Sequence, residues 1–566
     1  MKEGKEDSIV ERHPKSNPDF HETSMEHYPE PTAEDWKNLP EVSDSIPKAA
    51  FLVILIEFCE RFTYYGLSGP FQNYIQNPAP ASYPAQLPGA MGRGQQTATA
   101  LTTFFQFWCY ITPVLGAIIA DQFWGKYKTI LVFSCIYFVG LLILTLTSIP
   151  QAIASNAAFP GYIVAIIIIG LATGGIKSNV SPLVAEQYRS KSAYVKTTPN
   201  GKRVIVTPQA TYQKIFNFFY WGINIGSLSA IATTELEKNV GFWPAFLLPT
   251  LMFIPCIIVV VLGRKQYVQN PPRGSVFLEA GRLFWFSFKV KGGLEACKPS
   301  RLVRENPEFA EKATWDDVFV DELRRALKAC VIFCWYPLYW LCYSQMTNNL
   351  VSMAGTMLTG SVPNDIMQNI DPIALIIIIP IMDSFVYPGL RRIGLPMRPI
   401  ARITLGFFFA SAAMGYTAGI QSMVYKTAPY YDHPNGRQNW ISAAYLIPSY
   451  VLIAISEIFA SITGMEYAFK KAPQSMKSIV MALFLITNCF ASILAFALVS
   501  VTVDPKLEWM YTGISAAMLF CTVMFYICHH KADDVDVEED AITRDNHTGL
   551  KTDEEVIVEY EAEKNH

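Results

Sequence analysis

The sequence predicts an all-α membrane protein whose twelve transmembrane helices form two six-helix halves. Three observations predict this. First, 51% of the 566 residues are hydrophobic and only 16% charged, where soluble domains carry about 25% charged residues. Second, the charge is confined to residues 1–46, 531–566 and a stretch near 264–325. The rest is dominated by apolar runs such as Ile163–Leu171, Ala374–Met382 and Ser478–Val501. Third, segments of about 20 residues, the length that crosses a hydrocarbon core of about 30 Å, recur along the chain and divide six and six around the charged stretch.

Read between polar or Pro/Gly-rich breaks, the spans fall near 47–76, 97–121, 128–149, 159–188, 209–234, 241–263, 327–359, 371–390, 399–424, 438–469, 475–503 and 508–529. The domain plan is an acidic tail (1–46), a first bundle (47–263), a linker (264–326), a second bundle (327–530) and an acidic tail (531–566). The first 46 residues contain no apolar core of the secretory-signal type. Within the linker, Phe277–Val290 is aromatic and basic, fit either to lie on a membrane surface or to pack on the bundle. Asp316–Lys328 is helix-prone and leads into span seven.

Basic residues orient the chain. Lys126, Lys128, Arg189, Lys191, Lys196, Lys202, Arg203, Arg391, Arg392, Arg398, Lys470, Lys471 and Lys477 follow even-numbered spans, and the opposite loops offer little beyond Arg93, Lys238, Lys426, Arg437 and Lys506. The positive-inside rule then assigns both termini to the cytosol. Sequons at Asn546 and Asn179 fall in the cytosolic tail and in span four, so neither is expected to carry glycan. The net charge of −3 comes without a basic stripe, so no nucleic-acid partner is indicated. The 11 cysteines lie mostly in apolar runs and form no CxxC pair, arguing against a disulfide framework or zinc site.

Ionisable groups inside the membrane are costly, about 2.5–3.5 kcal/mol each on insertion scales, and mark function by default. Span one carries Glu57, Glu60, Arg61 and Tyr64 on one helical face. Glu57 stands four residues before Arg61, the favourable order for an ion pair, and two acids beside one base leave a carboxylate able to carry a proton. A self-neutralising trio that holds the bundle together is the structural alternative. Lys177 lies in span four, and Glu457, preceded by Ser456, lies in span ten. Cations in the first half and a carboxylate in the second suit a zwitterion, although a structurally bonded acid would also account for Glu457. All eight histidines lie in tails, in a loop or at the end of span twelve, so any proton coupling must run on carboxylates. No nucleophile–base constellation or metal-ligand spacing is found, which argues against an enzyme, and no cofactor is expected beyond protons as coupling ion.

Four segments, in order, resemble the proton-dependent oligopeptide transporter family of the major facilitator superfamily, and in detail its fungal di/tripeptide permeases. Glu57–Gly66 (EFCERFTYYG) is similar to the signature ExxERFxYYG, and Phe219–Ser227 (FYWGINIGS) to FYxxINxGS. Gly116–Asp121 with Gly125-Lys126 resembles the superfamily's loop between spans two and three, and Ala472–Ser478 a family segment entering span eleven. The resemblance implies the major facilitator fold and proton-coupled peptide import at the plasma membrane by a monomer. It implies that Arg61 and Lys177 meet the peptide carboxylate and Glu457 its ammonium. Tyr64, Tyr220 and Asn224, with Tyr65 and Ser456 alongside, would bind the rest of the backbone. Trp340 would line a side-chain pocket, or simply pack, and Glu57, Glu60 and Arg61 would couple protons.

The chain departs from the family in three places. Ser344 stands before Gln345 where many bacterial members have an acid that pairs with the span-one arginine, so the extracellular gate must use other contacts. Thr103 occupies the position of the animal members' histidine. Asp371-Pro372 replaces Asn-Pro, and Asp371 either strengthens the negative pole or caps its helix. A proton-coupled carrier of nitrate or another small anion, and a peptide sensor that does not transport, remain the alternatives. The first has no use for Glu457 and the second none for a proton-coupling set.

Overall fold

The computed structural model describes residues 29, 31–32, 35–36, 39–190, 192–198, 201–272, 274–290, 292–305, 313–386, 389–390, 397–431, 438–471 and 476–530. The two acidic tails, Arg391 and Arg392, and Ala472–Ser475 of the last family segment fall wholly or largely outside these. Among the described residues, eleven helices are long and apolar enough to cross a bilayer. They are Gly94–Trp124, Lys126–Thr147, Ala158–Glu186, Ala210–Asn239, Phe242–Lys265, Asp317–Thr356, Asn364–Ile381, Pro399–Lys426, Ala443–Tyr467, Ile479–Val501 and Leu507–His529. These correspond to expected spans two to twelve. Span one is the helix Lys48–Ser68, followed by a short helix Phe71–Gln76. It is of spanning length, but Glu57, Glu60 and Arg61 set it apart in composition from the other eleven.

The differences from the expected boundaries have local causes. Span seven begins at Asp317 rather than 327, because the Asp316 side chain accepts a hydrogen bond from the Phe319 amide at 2.7 Å and so caps the helix. It is then broken: α-helix to Cys330, 3₁₀ over Val331–Trp335, α-helix Tyr336–Ser344, 3₁₀ over Gln345–Thr347, and α-helix Asn349–Thr356. Span eight starts at Asn364 through a 3₁₀ turn, seven residues ahead of the expected 371. In the linker, Val276–Ser287 is helical. Ala280 and Leu283 are buried in the second half's core, while Phe284, Trp285 and Phe288 remain exposed.

Close helix packing in the first half depends on glycine. A Cβ on Gly116 would stand 2.6 Å from the Gly174 carbonyl oxygen, and one on Gly175 would overlap the Phe133 ring. Spans two, three and four therefore approach backbone to side chain as small-residue membrane interfaces do, and this fixes Lys177 two residues further on.

A separate small unit comprises residues up to Ile46 together with Tyr188–Phe216. Strand β1 (Glu41–Val42) pairs in parallel with β3 (Arg203–Val206), which pairs antiparallel with β2 (Tyr194–Thr197), in the order β1-β3-β2. The Asp44 carboxylate accepts from the Tyr194 hydroxyl at 2.8 Å, and Arg203 pairs with Asp35 at 3.1 Å.

Candidate peptide site and the contacts that close it

Span one brings its charges together as the helical spacing requires. Glu57, Glu60 and Arg61 are 4%, 0% and 5% exposed. The Arg61 Nε donates to Glu60 Oε2 at 2.5 Å and lies 3.4 Å from Glu57 Oε1. Thus both acids attend one guanidinium, the neighbour more closely than the residue one turn away. The guanidinium also stands 4.9 Å from the centroid of the Tyr64 ring, a cation–π contact that fixes its heading. Tyr64 is stacked on Phe105 at 5.7 Å and meets Tyr65 edge-on at 5.4 Å.

The Lys177 ammonium lies 4.3 Å from the centroid of Tyr110, within the electrostatic neighbourhood of Arg61, Glu60 and Glu57. Spans one and four thus form one cationic group around a buried acid pair. Thr103 is buried in span two, with no partner for its hydroxyl among the described residues.

The opposite pole is built from broken helices. Glu457 ends the α-helix Ile447–Glu457, and the chain continues through a π-helical turn, Ile458–Ile462, an irregularity often found at functional sites. Asp371 is 3% exposed, in the first turn of the helix Ile370–Ile381. The N-cap of that helix is Asn369, so Asp371 does not cap it. Its carboxyl lies close to Glu457 and Tyr343 instead. The sequence left open whether Asp371 strengthens the negative pole or caps its helix; of the two, only the first agrees with its position beside Glu457. Tyr65 lies within electrostatic range of Arg61 and Glu60 and also of Glu457 and Asp371.

Other expected site residues are placed as follows. Tyr220 is 49% exposed and its hydroxyl donates to Met465 Sδ at 3.4 Å, a contact between the two halves. Asn224 donates to the Tyr220 carbonyl at 3.0 Å. Ser456 is buried and its hydroxyl donates back to the Ile453 carbonyl at 2.7 Å. Trp340 is buried, packs edge-on with Tyr339, Tyr343 and Phe484, and donates from Nε1 to the Thr487 hydroxyl at 3.0 Å.

The side carrying the loops after spans one, five and seven is closed by amides and hydroxyls that cross between the halves. Gln72 donates to the Ser352 hydroxyl at 3.0 Å, and that hydroxyl donates to Gln76 at 2.5 Å. Asn73 and Asn364 exchange bonds at 2.8 and 3.0 Å. Thr99 and Gln95 both donate to Asn349 at 3.2 Å, and Lys238 donates to the Ser361 carbonyl at 2.7 Å. Ser344 takes no part: its hydroxyl donates back to the Leu341 carbonyl at 2.9 Å. The contacts expected to replace the missing acid are therefore these, uncharged but for the Lys238 ammonium, and apart from Lys238 they come from residues that the sequence alone did not mark.

A family model described as "POT family" matches residues 127–514. The chain belongs to the POT family. This is a family of transporters rather than enzymes. Among its relatives, a probable peptide transporter of Schizosaccharomyces pombe is 50% identical over 91% of this chain and 83% of its own length. The peptide transporter PTR2 of Saccharomyces cerevisiae is 46% identical over 90% and 84%. The POT family transporter PepTSo superposes with a TM-score of 0.69 at 22% identity, covering 87% of this chain and 99% of that one. A POT family transporter in complex with a thioalcohol-conjugated peptide gives 0.63 at 18%, covering 85% and 96%. At these identities the superpositions establish the major facilitator fold of the POT transporters, the fold class expected from the sequence.

Proposed function

We propose that this protein imports di- and tripeptides together with protons by alternating access. What supports the reading is a buried cationic cluster, Arg61 with Lys177, and a buried acidic cluster, Glu457 with Asp371, both within electrostatic range of Tyr65 or its neighbours, which would serve as opposite poles. A free peptide is a zwitterion with charges at separated ends, and neutralising both ends at once selects the backbone rather than the side chains. The relatives named peptide transporters support the substrate class. Tyr64, Tyr65, Tyr220 and Asn224 offer hydroxyl and amide groups for the peptide bond, Ser456 flanks the anionic pole, and Trp340 stands near it behind Tyr343.

In this cycle the peptide carboxylate competes with Glu57 and Glu60 for Arg61. The glutamate it displaces, buried and without a counter-ion, then holds a proton more readily. Peptide and proton therefore favour each other's binding, and leave together once the halves rock toward the other side. A membrane potential adds about 2.3 kcal/mol per positive charge per 100 mV to inward movement. The excess of Lys and Arg after even-numbered spans supports cytosolic termini and hence a gate of amides that faces outward.

Uptake of a labelled dipeptide into proteoliposomes, with and without an inward proton gradient, tests this beside Glu457→Ala. Gradient-driven uptake that the variant loses is the expected result. Folded wild-type protein that takes up no dipeptide would overturn the reading.

A further inference from the structure

Two more acids lie in the closed gate, outside the peptide site. Glu237, at the end of span five, and Asp365, in the 3₁₀ turn that opens span eight, are each 0% exposed. They come from different halves, on elements that pack against each other, and each carboxyl has the other among its close electrostatic neighbours. The Asn73 amide donates to Glu237 Oε1 at 2.9 Å while also donating to Asn364, so the pair sits within the amide lattice. Among the described residues, Glu237 Oε2 and both Asp365 oxygens lack a hydrogen-bond donor, apart from a contact of Asp365 with its own backbone.

Among the described residues, the surroundings supply no neutralising base at bonding distance. The titratable neighbours are Glu235 and Lys238 on the same helix, Tyr83 in the loop after span one, and Tyr450 on span ten. The Lys238 ammonium is turned to the Ser361 carbonyl. Tyr83 lies outside the spans. Burial first, and Glu237 second, raise its phenol above the usual range, so it stays neutral. Two carboxylates held close, without water or a bound cation, repel each other strongly, whereas one carboxylate and one carboxylic acid form a hydrogen bond.

We propose that Glu237 and Asp365 bind a single proton between them and that this proton latches the two halves together on the gate side. With the proton present, the acid of one half donates to the carboxylate of the other and the amide lattice closes around them. Without it, two negative charges face each other across the seam and drive it apart, admitting water to both. The coupling is reciprocal: closing the gate raises the pair's hold on the proton, and opening it releases the proton. The latch lies apart from the Arg61 group and requires no peptide.

The latch rests on the alternating-access reading for its purpose but not for its test, because gate closure can be followed without transport. Hydrogen–deuterium exchange of the full-length protein in lipid nanodiscs, without peptide, is measured from about pH 5.5 to 8 and corrected for intrinsic chemistry. The reporters are the segments 71–76, 349–356 and 364–369. If one proton is linked to closure, protection of these segments falls by up to about tenfold per pH unit as the latch empties. Glu237→Gln and Asp365→Asn each place a permanent hydrogen-bond donor at the seam and should abolish that slope while the segments stay protected. Exchange far from the gate, in 129–145, reports that each variant is folded. A wild-type profile without pH dependence would overturn the proposal, as would a folded variant of either kind that keeps the wild-type slope.

Discussion

The two poles of the site are held in opposite ways. The cationic pole neutralises itself: Arg61 meets Glu60 and Glu57 on its own helix, its heading is fixed by Tyr64, and Lys177 is anchored behind glycines that let three helices close up. The anionic pole does not. Glu457 and Asp371 lie close to each other and to Tyr343, beside a π-helical turn, and Glu457 Oε2 and Asp371 Oδ1 have no hydrogen-bond partner among the described residues. One group is balanced in charge without substrate, although Glu60 Oε1 also has no hydrogen-bond partner among the described residues, and the other lacks a cation. A peptide ammonium would supply it, so the second half gains more from the ligand than the first.

The largest test of this contrast removes the shared base. Arg61→Ala leaves Glu57 and Glu60 buried with only the more distant Lys177 as a cation, and breaking such a pair costs about 3–5 kcal/mol. Thermal unfolding in detergent should show a fall of that order, and uptake should vanish. Glu457→Gln should behave differently at comparable functional cost. Removing one of two adjacent acids relieves repulsion, so the protein should unfold at the same temperature or higher, while dipeptide affinity falls by about 2–5 kcal/mol for loss of a desolvated charge partner. Equal destabilisation by the two variants would remove the distinction between the poles.

A third comparison separates charge from position. Gly175→Val leaves every charge in place but drives a side chain into Phe133. Overpacking of this kind costs about 1–3 kcal/mol, and the binding of anions that need only the cationic pole should weaken along with peptide binding. The smallest effect is expected at Trp340→Phe, which loses one hydrogen bond to Thr487, about 1 kcal/mol. Uptake kinetics across peptides of different side-chain bulk would show whether Trp340 also shapes a pocket: a change confined to stability assigns it to packing.

The first pole was legible in the sequence because it is local. Steps of three and four residues place Glu57, Glu60, Arg61 and Tyr64 on one helical face, and the apolar runs revealed most of the spans by length alone. The second pole was half legible. Glu457 stood out as a charge in an apolar run, but its partner Asp371 is brought to it only by tertiary packing. The gate was least visible, since amides and hydroxyls such as Asn73, Asn349, Ser352 and Asn364 are ordinary at the ends of spans. Glu237 and Asp365 lie at such ends too, where acids attract no notice. The small sheet was missed for another reason. Tyr194–Val206 (YVKTTPNGKRVIV) is a β-branched run around Pro-Asn-Gly, a hairpin signal, but it was read for its basic residues alone.

Among the described residues the amide closure is made without ion pairs, and this has a bearing on the medium the protein meets. Exposed charges attract less as salt is added, their reach falling from about 30 Å at 0.01 M to 3 Å at 1 M. Uncharged hydrogen bonds such as Gln72–Ser352 and Asn73–Asn364 are not attenuated in this way. A seal made of them holds alike in dilute and in briny surroundings, which leaves acidity as the external variable able to work it.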